Sequence, residues 1–314
     1  KTQKLIVDPG VRIYKYNSLG ATFEPRLGAK FLASDNLRLK LAAGRYSQNL
    51  VSTNSDQDVV NLFYGFLSAP DNLPDEFNDE EVVNGLQLAN HLIIGIEYDI
   101  SSKIDFNLEG YIKDFTQLTN INKEKITLSD PDFIIEEGLA KGVDIVLKYN
   151  DPKFYFWLVY SLGHITRSGE DIEYNPHFDR RHNINLVSTY KFGTENKWSF
   201  DARWNIGSGF PFTQTQGFYP SLDFSDGINT NYTSESGELG IIYAGLNQGR
   251  LPWYHRLDIA LKKQQKLSKY STFEWNVGVT NVYNRENIFY FNRIEYKRVN
   301  QLPFMPSVGL SLTF

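Results

Sequence analysis

Residues Leu88–Phe115 read LANHLIIGIEYDISSKIDFNLEGYIKDF, two alternating arms around a polar joint at Ser101-Ser102-Lys103. In the first arm Leu92, Ile94, Ile96, Tyr98 and Ile100 share one face, and His91, Gly95, Glu97 and Asp99 share the other; only Ile93 breaks the pattern. In the second, Ile104, Phe106, Leu108 and Ile112 oppose Asp105, Asn107, Glu109, Tyr111 and Lys113. Side chains of a strand alternate with period two, so each arm presents one apolar and one polar surface. The apolar surface carries no charge, and each arm has the ~9–11 residues a tilted strand needs to cross a bilayer. The pair reads as a hairpin of a membrane-spanning β-barrel. A soluble sandwich with its apolar face on a core is the competing reading, and alternation alone does not separate the two.

Composition narrows the choice. The chain has 314 residues, 15% of them aromatic (19 Tyr and 22 Phe among them), with no Cys and a net charge of -5. That charge leaves no footprint for nucleic acid. Mean hydropathy is -0.39, and no apolar run approaches the ~18 residues of a transmembrane helix. A membrane barrel keeps such a hydropathy because half of every strand is polar. Lys1 is not an initiator Met and no signal peptide opens the chain, which reads as a mature or cut chain.

The hairpin unit recurs along the sequence. Gly10–Tyr16 is a short strand. Ala21–Leu32 turns at Asp35-Asn36 into Leu37–Gln48, and a long excursion, residues 49–87, precedes the opening hairpin. A second excursion runs from Thr116 to Glu137. Gly142–Tyr149 then returns as Lys153–Gly163, His182–Phe192 as Lys197–Gly207, and Arg256–Lys262 as Thr272–Tyr283; Ser307–Phe314 is last. About 12 strands result, joined alternately by short polar turns and long loops, which is how periplasmic turns and extracellular loops divide in outer-membrane barrels. Phe314 then lies on the periplasmic side. Aromatics gather toward strand ends (Tyr98, Tyr149, Tyr190, Phe192, Trp198), as interfacial girdles require.

Several stretches resemble TonB-dependent outer-membrane transporters, in the style of Bacteroidota members. They are Glu24–Ala29 (EPRLGA), Asp35–Lys40 (DNLRLK), Gly44–Gln48 (GRYSQ), Glu109–Asp114 (EGYIKD), Gly138–Asp144 (GLAKGVD), Tyr254–Asp258 (YHRLD) and Gly278–Asn284 (GVTNVYN), with an aromatic carboxy-terminal Phe314. The resemblance covers nearly the whole chain. It implies the C-terminal half of a 22-stranded barrel, one region over residues 1–314, with the plug domain, the TonB-box segment and the first barrel strands outside this sequence. It implies uptake of a bulky nutrient (siderophore, vitamin, glycan or peptide) across the bacterial outer membrane, without enzymatic chemistry. Its partners would be lipid, the plug and remaining strands, the TonB complex and a surface lipoprotein lid. The alternative is a structural barrel subunit of a larger outer-membrane complex.

On this reading Glu97, Asp105, Glu109, Lys113, Asp144, Arg203 and Asp258 face the lumen and the plug. Their signs are mixed, whereas a simple ion-selective pore would bias one sign. Phe218, Tyr219, Tyr243, Trp253 and Tyr254, in the aromatic loop Thr213–Trp253, are the candidate extracellular contact surface. No cofactor is expected. The acidic stretch Asp71–Glu81 has the oxygen ligands a Ca²⁺ ion takes but no defined spacing, so a solvated loop is the stronger reading. The five histidines lack metal-ligand spacing. A self-sufficient 12-stranded barrel such as an outer-membrane phospholipase would need a Ser and a His on one site; Ser161 and His164 are the nearest pair.

Overall fold

The computed structural model describes residues 4–16, 20–52, 65–68, 72–82, 85–122, 125, 127–169, 172–221 and 238–314. Twelve strands dominate it: β1 Leu5–Lys15, β2 Ala21–Leu32, β3 Leu37–Gln48, β4 Gln87–Ser101, β5 Ile104–Ile121, β6 Phe133–Asn150, β7 Phe154–Ser168, β8 His182–Phe192, β9 Trp198–Gly207, β10 Tyr254–Lys266, β11 Thr272–Thr280 and β12 Met305–Thr313. Each pairs antiparallel with its neighbour in sequence, giving one sheet from β1 to β12; Glu173–Tyr174 adds a short thirteenth strand beside β7. Among the described residues β1 pairs only with β2 and β12 only with β11, so the wall has two free edges and the two do not meet.

Register gives each surface its character. One row across the sheet runs Leu39, Ile96, Leu108, Ile145, Tyr160, Ile184, Ile206 and His255. The adjacent row on the opposite face runs Arg38, Glu97, Asn107, Val146, Val159, Asn185, Asn205 and Arg256. The apolar surface stays exposed, with Ile94 57% and Leu310 71% accessible. Soluble monomers rarely expose contiguous apolar patches beyond a few hundred Å², so this surface is built for lipid.

Two aromatic belts bound it. At the short-turn end, Tyr190, Phe192 and Trp198 stack in series at 5.9 and 6.0 Å, Trp275 meets Trp198 edge-on at 5.5 Å, and the Lys263 ammonium sits 4.8 Å over Trp198. At the long-loop end, Tyr160 stacks on His182 at 6.2 Å, Trp253 on His182 at 5.7 Å, and the Trp204 indole N–H donates to Tyr283 Oη at 3.2 Å. His182 and Phe192 bracket β8, about 33 Å along a strand at ~3.3 Å per residue; a tilt of about 40° projects this to ~25 Å, the height of an outer-membrane apolar band.

Several observed strands run longer than the sequence pattern suggested, while β11 stops at Thr280, short of the expected Tyr283, where Asn281 takes a positive φ of 54°. β1 starts at Leu5, not Gly10, and continues through Pro9, which keeps its place opposite Leu27 although it has no N–H to donate. The second excursion shrinks to 122–132, because β5 and β6 stay paired through Leu118–Ile121 and Phe133–Glu136, past a register shift at Glu136/Gly138. The long loops hold small hairpins of their own, including Thr215–Ser221 with Glu238–Tyr243 and Ile288–Asn292 with Lys297–Asn300.

Candidate functional site

The inner face of β2–β5 carries a continuous charge lattice. Glu97 accepts from Lys30 at 3.1 Å, Arg38 Nε at 2.9 Å and Lys40 at 2.7 Å. Arg38 also clamps Asp99 with both terminal nitrogens, at 2.6 and 2.5 Å, and Lys40 reaches Glu109 at 2.8 Å. Three cations and three carboxylates from four strands therefore share one network. The register explains it: Arg38 lies opposite Glu97, and Gly95, with no side chain, leaves Lys40 room between Glu97 and Glu109. Nearer the loops, Glu24 is fully buried, held by Arg26 at 2.7 Å, Arg12 at 3.5 Å, and the Thr22 and Ser47 hydroxyls.

The remaining lumen candidates fall on the same face. Asp105 lies 4.0 Å from Lys148, and Lys113 sits 5.3 Å over the Tyr111 ring. Asp144 is opposite Glu109, and Arg203 is opposite Asp258. Asp258 binds Arg256 at 2.9 Å and accepts the Asn281 N–H at 2.9 Å. Ser161 and His164 do not form a site. Three residues apart on one strand, they face opposite sides of the sheet, and His164 points to the lipid surface with Leu162.

At the long-loop end the wall closes into a mouth that sequence reading did not isolate. Asp179, also fully buried, accepts Arg250 at 2.6 Å, Arg181 at 3.2 Å and the Ile165 N–H at 2.9 Å, tying β7 to two loops. Beside it the Arg180 guanidinium stacks 4.1 Å over Phe210 and 5.6 Å over Tyr254. It occupies the space a side chain at Gly207 would take, since a Cβ there would lie 2.6 Å away. Burial lowers the Arg180 pKa, and its Nε has no hydrogen-bond partner; guanidinium nonetheless stays charged. A cavity of about 390 Å³ opens here, lined by Arg180, Phe210, Trp253, Tyr254, Arg285 and Arg298 among others. Asn281 and Asn284, both at positive φ (54° and 50°), shape one side. The Asn281 amide bonds the Arg285 and Leu302 carbonyls at 2.9 and 3.0 Å, which explains asparagine in the GVTNVYN stretch.

The five aromatic contact candidates separate into three places. Phe218 meets Tyr296 at 5.6 Å, Tyr243 carries Arg293 at 5.2 Å, and Tyr219 covers Gly240, all on one loop hairpin. Trp253 joins the outer belt through His182, and Tyr254 lines the mouth. The acidic stretch holds a tight Glu76–Phe77/Glu80–Glu81 pairing turned by Asn78 and Asp79 at positive φ; Asp71 lies outside the described residues.

No family model and no curated protein matches the sequence. Solved structures do. The pyoverdine outer membrane receptor FpvA from Pseudomonas aeruginosa PAO1 superposes with a TM-score of 0.63 at 12% identity, over 100% of this chain and 40% of that one. The fold is that of an outer-membrane β-barrel wall. A mutant of the ferric enterobactin receptor PfeA from the same species gives 0.61 at 10% identity, covering 99% of this chain and 43% of the receptor. The ferric-catecholate import receptor Fiu from K12 E. coli gives 0.60 at 13% identity, covering 94% and 35%. The chain thus spans less than half the length of these receptors.

Proposed function

We propose that this chain is the C-terminal wall of a TonB-dependent receptor barrel in the bacterial outer membrane, of the kind found in Bacteroidota, and that it serves uptake of a bulky nutrient. The observation that carries the proposal is the free-edged sheet of twelve consecutive strands lying along about two fifths of a siderophore receptor. Unpaired backbone groups cost several kcal/mol each in hydrocarbon, so the edges at β1 and β12 call for further strands that close a wider barrel. The inner lattice, mixed in sign and paired within itself, suits a wall that docks a polar plug better than an ion-selective pore. In the mouth Glu286 pairs with Arg298, which leaves Arg180 and Arg285 beside Phe210 and Tyr254 to meet an anionic ligand, so a ferric siderophore is the first substrate to try.

The test is uptake of radiolabelled ferric siderophores by cells that carry or lack the intact protein, with the TonB system present or deleted. Uptake that needs both is expected. Uptake indifferent to TonB refutes the proposal. Loss of a larger outer-membrane complex on deletion, with all uptake intact, would favour the structural-subunit reading instead.

A further inference from the structure

The outer surface, which plays no part in the uptake reading, holds a groove where β4–β7 face lipid. Two adjacent rows define it. The lower row is Ile94, Gly110, Val143 and Leu162; the upper is Leu92, Ile112, Lys141 and His164. Gly110 supplies the floor because it has no side chain between Ile94 and Val143, and the resulting cavity of about 750 Å³ is lined mostly by carbon, with Lys141, His164 and an Arg181 already paired to Asp179 among its polar lining. The upper end differs in kind. Lys141 and His164 are directly opposed cross-strand neighbours, close enough to engage one group together.

Lys141 makes no ion pair among the described residues, and His164 Nδ1 is buried without a hydrogen-bond partner. This is unlike the inner face of the same wall, where Lys30, Arg38 and Lys40 all pair with carboxylates. Asp114, one outward row above Lys141, makes no ion pair with it. Depth fits a lipid headgroup. Lys141 is nine residues up β6 from Asn150 at the short turn, which a tilt of about 40° places ~23 Å above it, near the far limit of the ~25 Å apolar band.

We infer that this groove is a binding site for a phosphorylated acyl lipid of the outer leaflet, with an acyl chain lying over Gly110 between Ile94 and Val143 and the phosphate held by Lys141 and His164. The apolar floor takes the chain, and the unpaired cation at its upper end takes the charge. Only an amphiphile anionic at one end satisfies both.

The experiment uses the protein extracted from outer membranes, with native mass spectrometry in detergent after adding bis-phosphorylated lipid A or the same lipid enzymatically dephosphorylated. The wild type should retain the phosphorylated form at least about fivefold better. Lys141→Gln should abolish that preference. Gly110→Leu should reduce retention of both forms; a Cβ at Gly110 meets nothing closer than the Gly142 carbonyl at 4.0 Å, so the side chain fills the groove without backbone strain. Heat-modifiability on gels verifies that the variants fold, and Lys141→Gln, at an exposed side chain, serves alone if Gly110→Leu does not. Equal retention of the two lipids by the wild type, or a Lys141→Gln variant that keeps the preference, overturns the site, as does a folded Gly110→Leu variant that binds like the wild type; such results would leave the face to bulk lipid or a protein partner.

Discussion

The inner and outer faces of β3–β6 are one residue apart in sequence and opposite in how they treat charge. Inside, each cation of the lattice has a carboxylate partner, and Glu97 serves three of them. Outside, the corresponding row is Leu39, Ile96, Leu108 and Ile145, and the charge at Lys141 waits until the upper limit of the apolar band. The difference follows from the two solvents. Water and neighbouring strands can satisfy an inner charge, whereas hydrocarbon satisfies none. A membrane wall therefore has no core in the usual sense. The few buried apolar side chains, such as Leu86 and Leu88 with Tyr14 and Tyr16 packed against them, sit at the long-loop end of the wall. Stability comes from the ladder between strands and from lipid outside it.

The sharpest way to break the comparison is to move a charge across the wall. Leu108→Arg places a guanidinium in the hydrocarbon between Ile96 and Ile145, and should cost about 2–4 kcal/mol near the midplane. Glu109→Gln, the next residue, removes one of the two carboxylates on Lys40 and leaves Glu97 in place, so the cost should stay below about 1 kcal/mol. Urea unfolding followed by heat-modifiability on gels measures both. Equal losses would mean that the inside and outside phase is wrong.

A smaller effect is expected inside the lattice. Glu97→Ala strands Lys30 while Arg38 keeps Asp99 and Lys40 keeps Glu109. Because the members are 22% to 38% exposed, solvent screening limits the cost to about 1 kcal/mol. A double-mutant cycle with Lys40→Ala should give a coupling that shrinks in 1 M salt, where the Debye length is about 3 Å. Coupling insensitive to salt would mean that the lattice is sealed from water.

How far the sequence revealed this depends on period. Wherever residues alternate, as from Leu92 to Lys113, strand and face were both legible, because a one-residue slip would have turned Leu108 inward and Glu109 to lipid. Above the membrane the alternation carries no solvent contrast, and there reading failed. Polar residues Thr119, Asn120 and Glu136 looked like loop, yet they continue β5 and β6 and are buried together with Tyr174, whose hydroxyl donates to Glu136 at 2.9 Å. The mouth was hidden for a different reason. Arg180, Phe210, Tyr254 and Arg285 come from four separate segments, and no local pattern announces an assembly made by loops. The Asn of GVTNVYN was the available signal, since an asparagine repeated at turn spacing marks backbone at positive φ.

The smallest effect lies at the short turns, where the two faces meet and neither solvent dominates. Lys103 of the β4–β5 turn pairs with Asp151 of the β6–β7 turn, and the Asn150 N–H donates to the Lys103 carbonyl at 2.8 Å, so two adjacent hairpins are clipped together. The Lys103 ammonium, aided by the Lys153 N–H, holds the Asp151 carboxyl below its ordinary pKa; Asp151 in turn raises that of Lys103. A carboxyl depressed on folding adds stability that is present above its unfolded pKa of about 3.9 and is lost as pH falls through the lower folded value. An ammonium raised on folding adds stability that is present below about 10.4 and lost as pH climbs through the higher folded value. The clip should therefore be indifferent to pH between about 5 and 9 and fail on both flanks. Asp151→Asn removes it at every pH, so the difference in urea midpoint between wild type and variant should be flat across neutrality and shrink as pH falls below about 4 or rises above about 10. The pair is solvent-exposed and the shift small, yet its shape is diagnostic. A difference that grows with acid would mean that Asp151 is held by burial and not by Lys103.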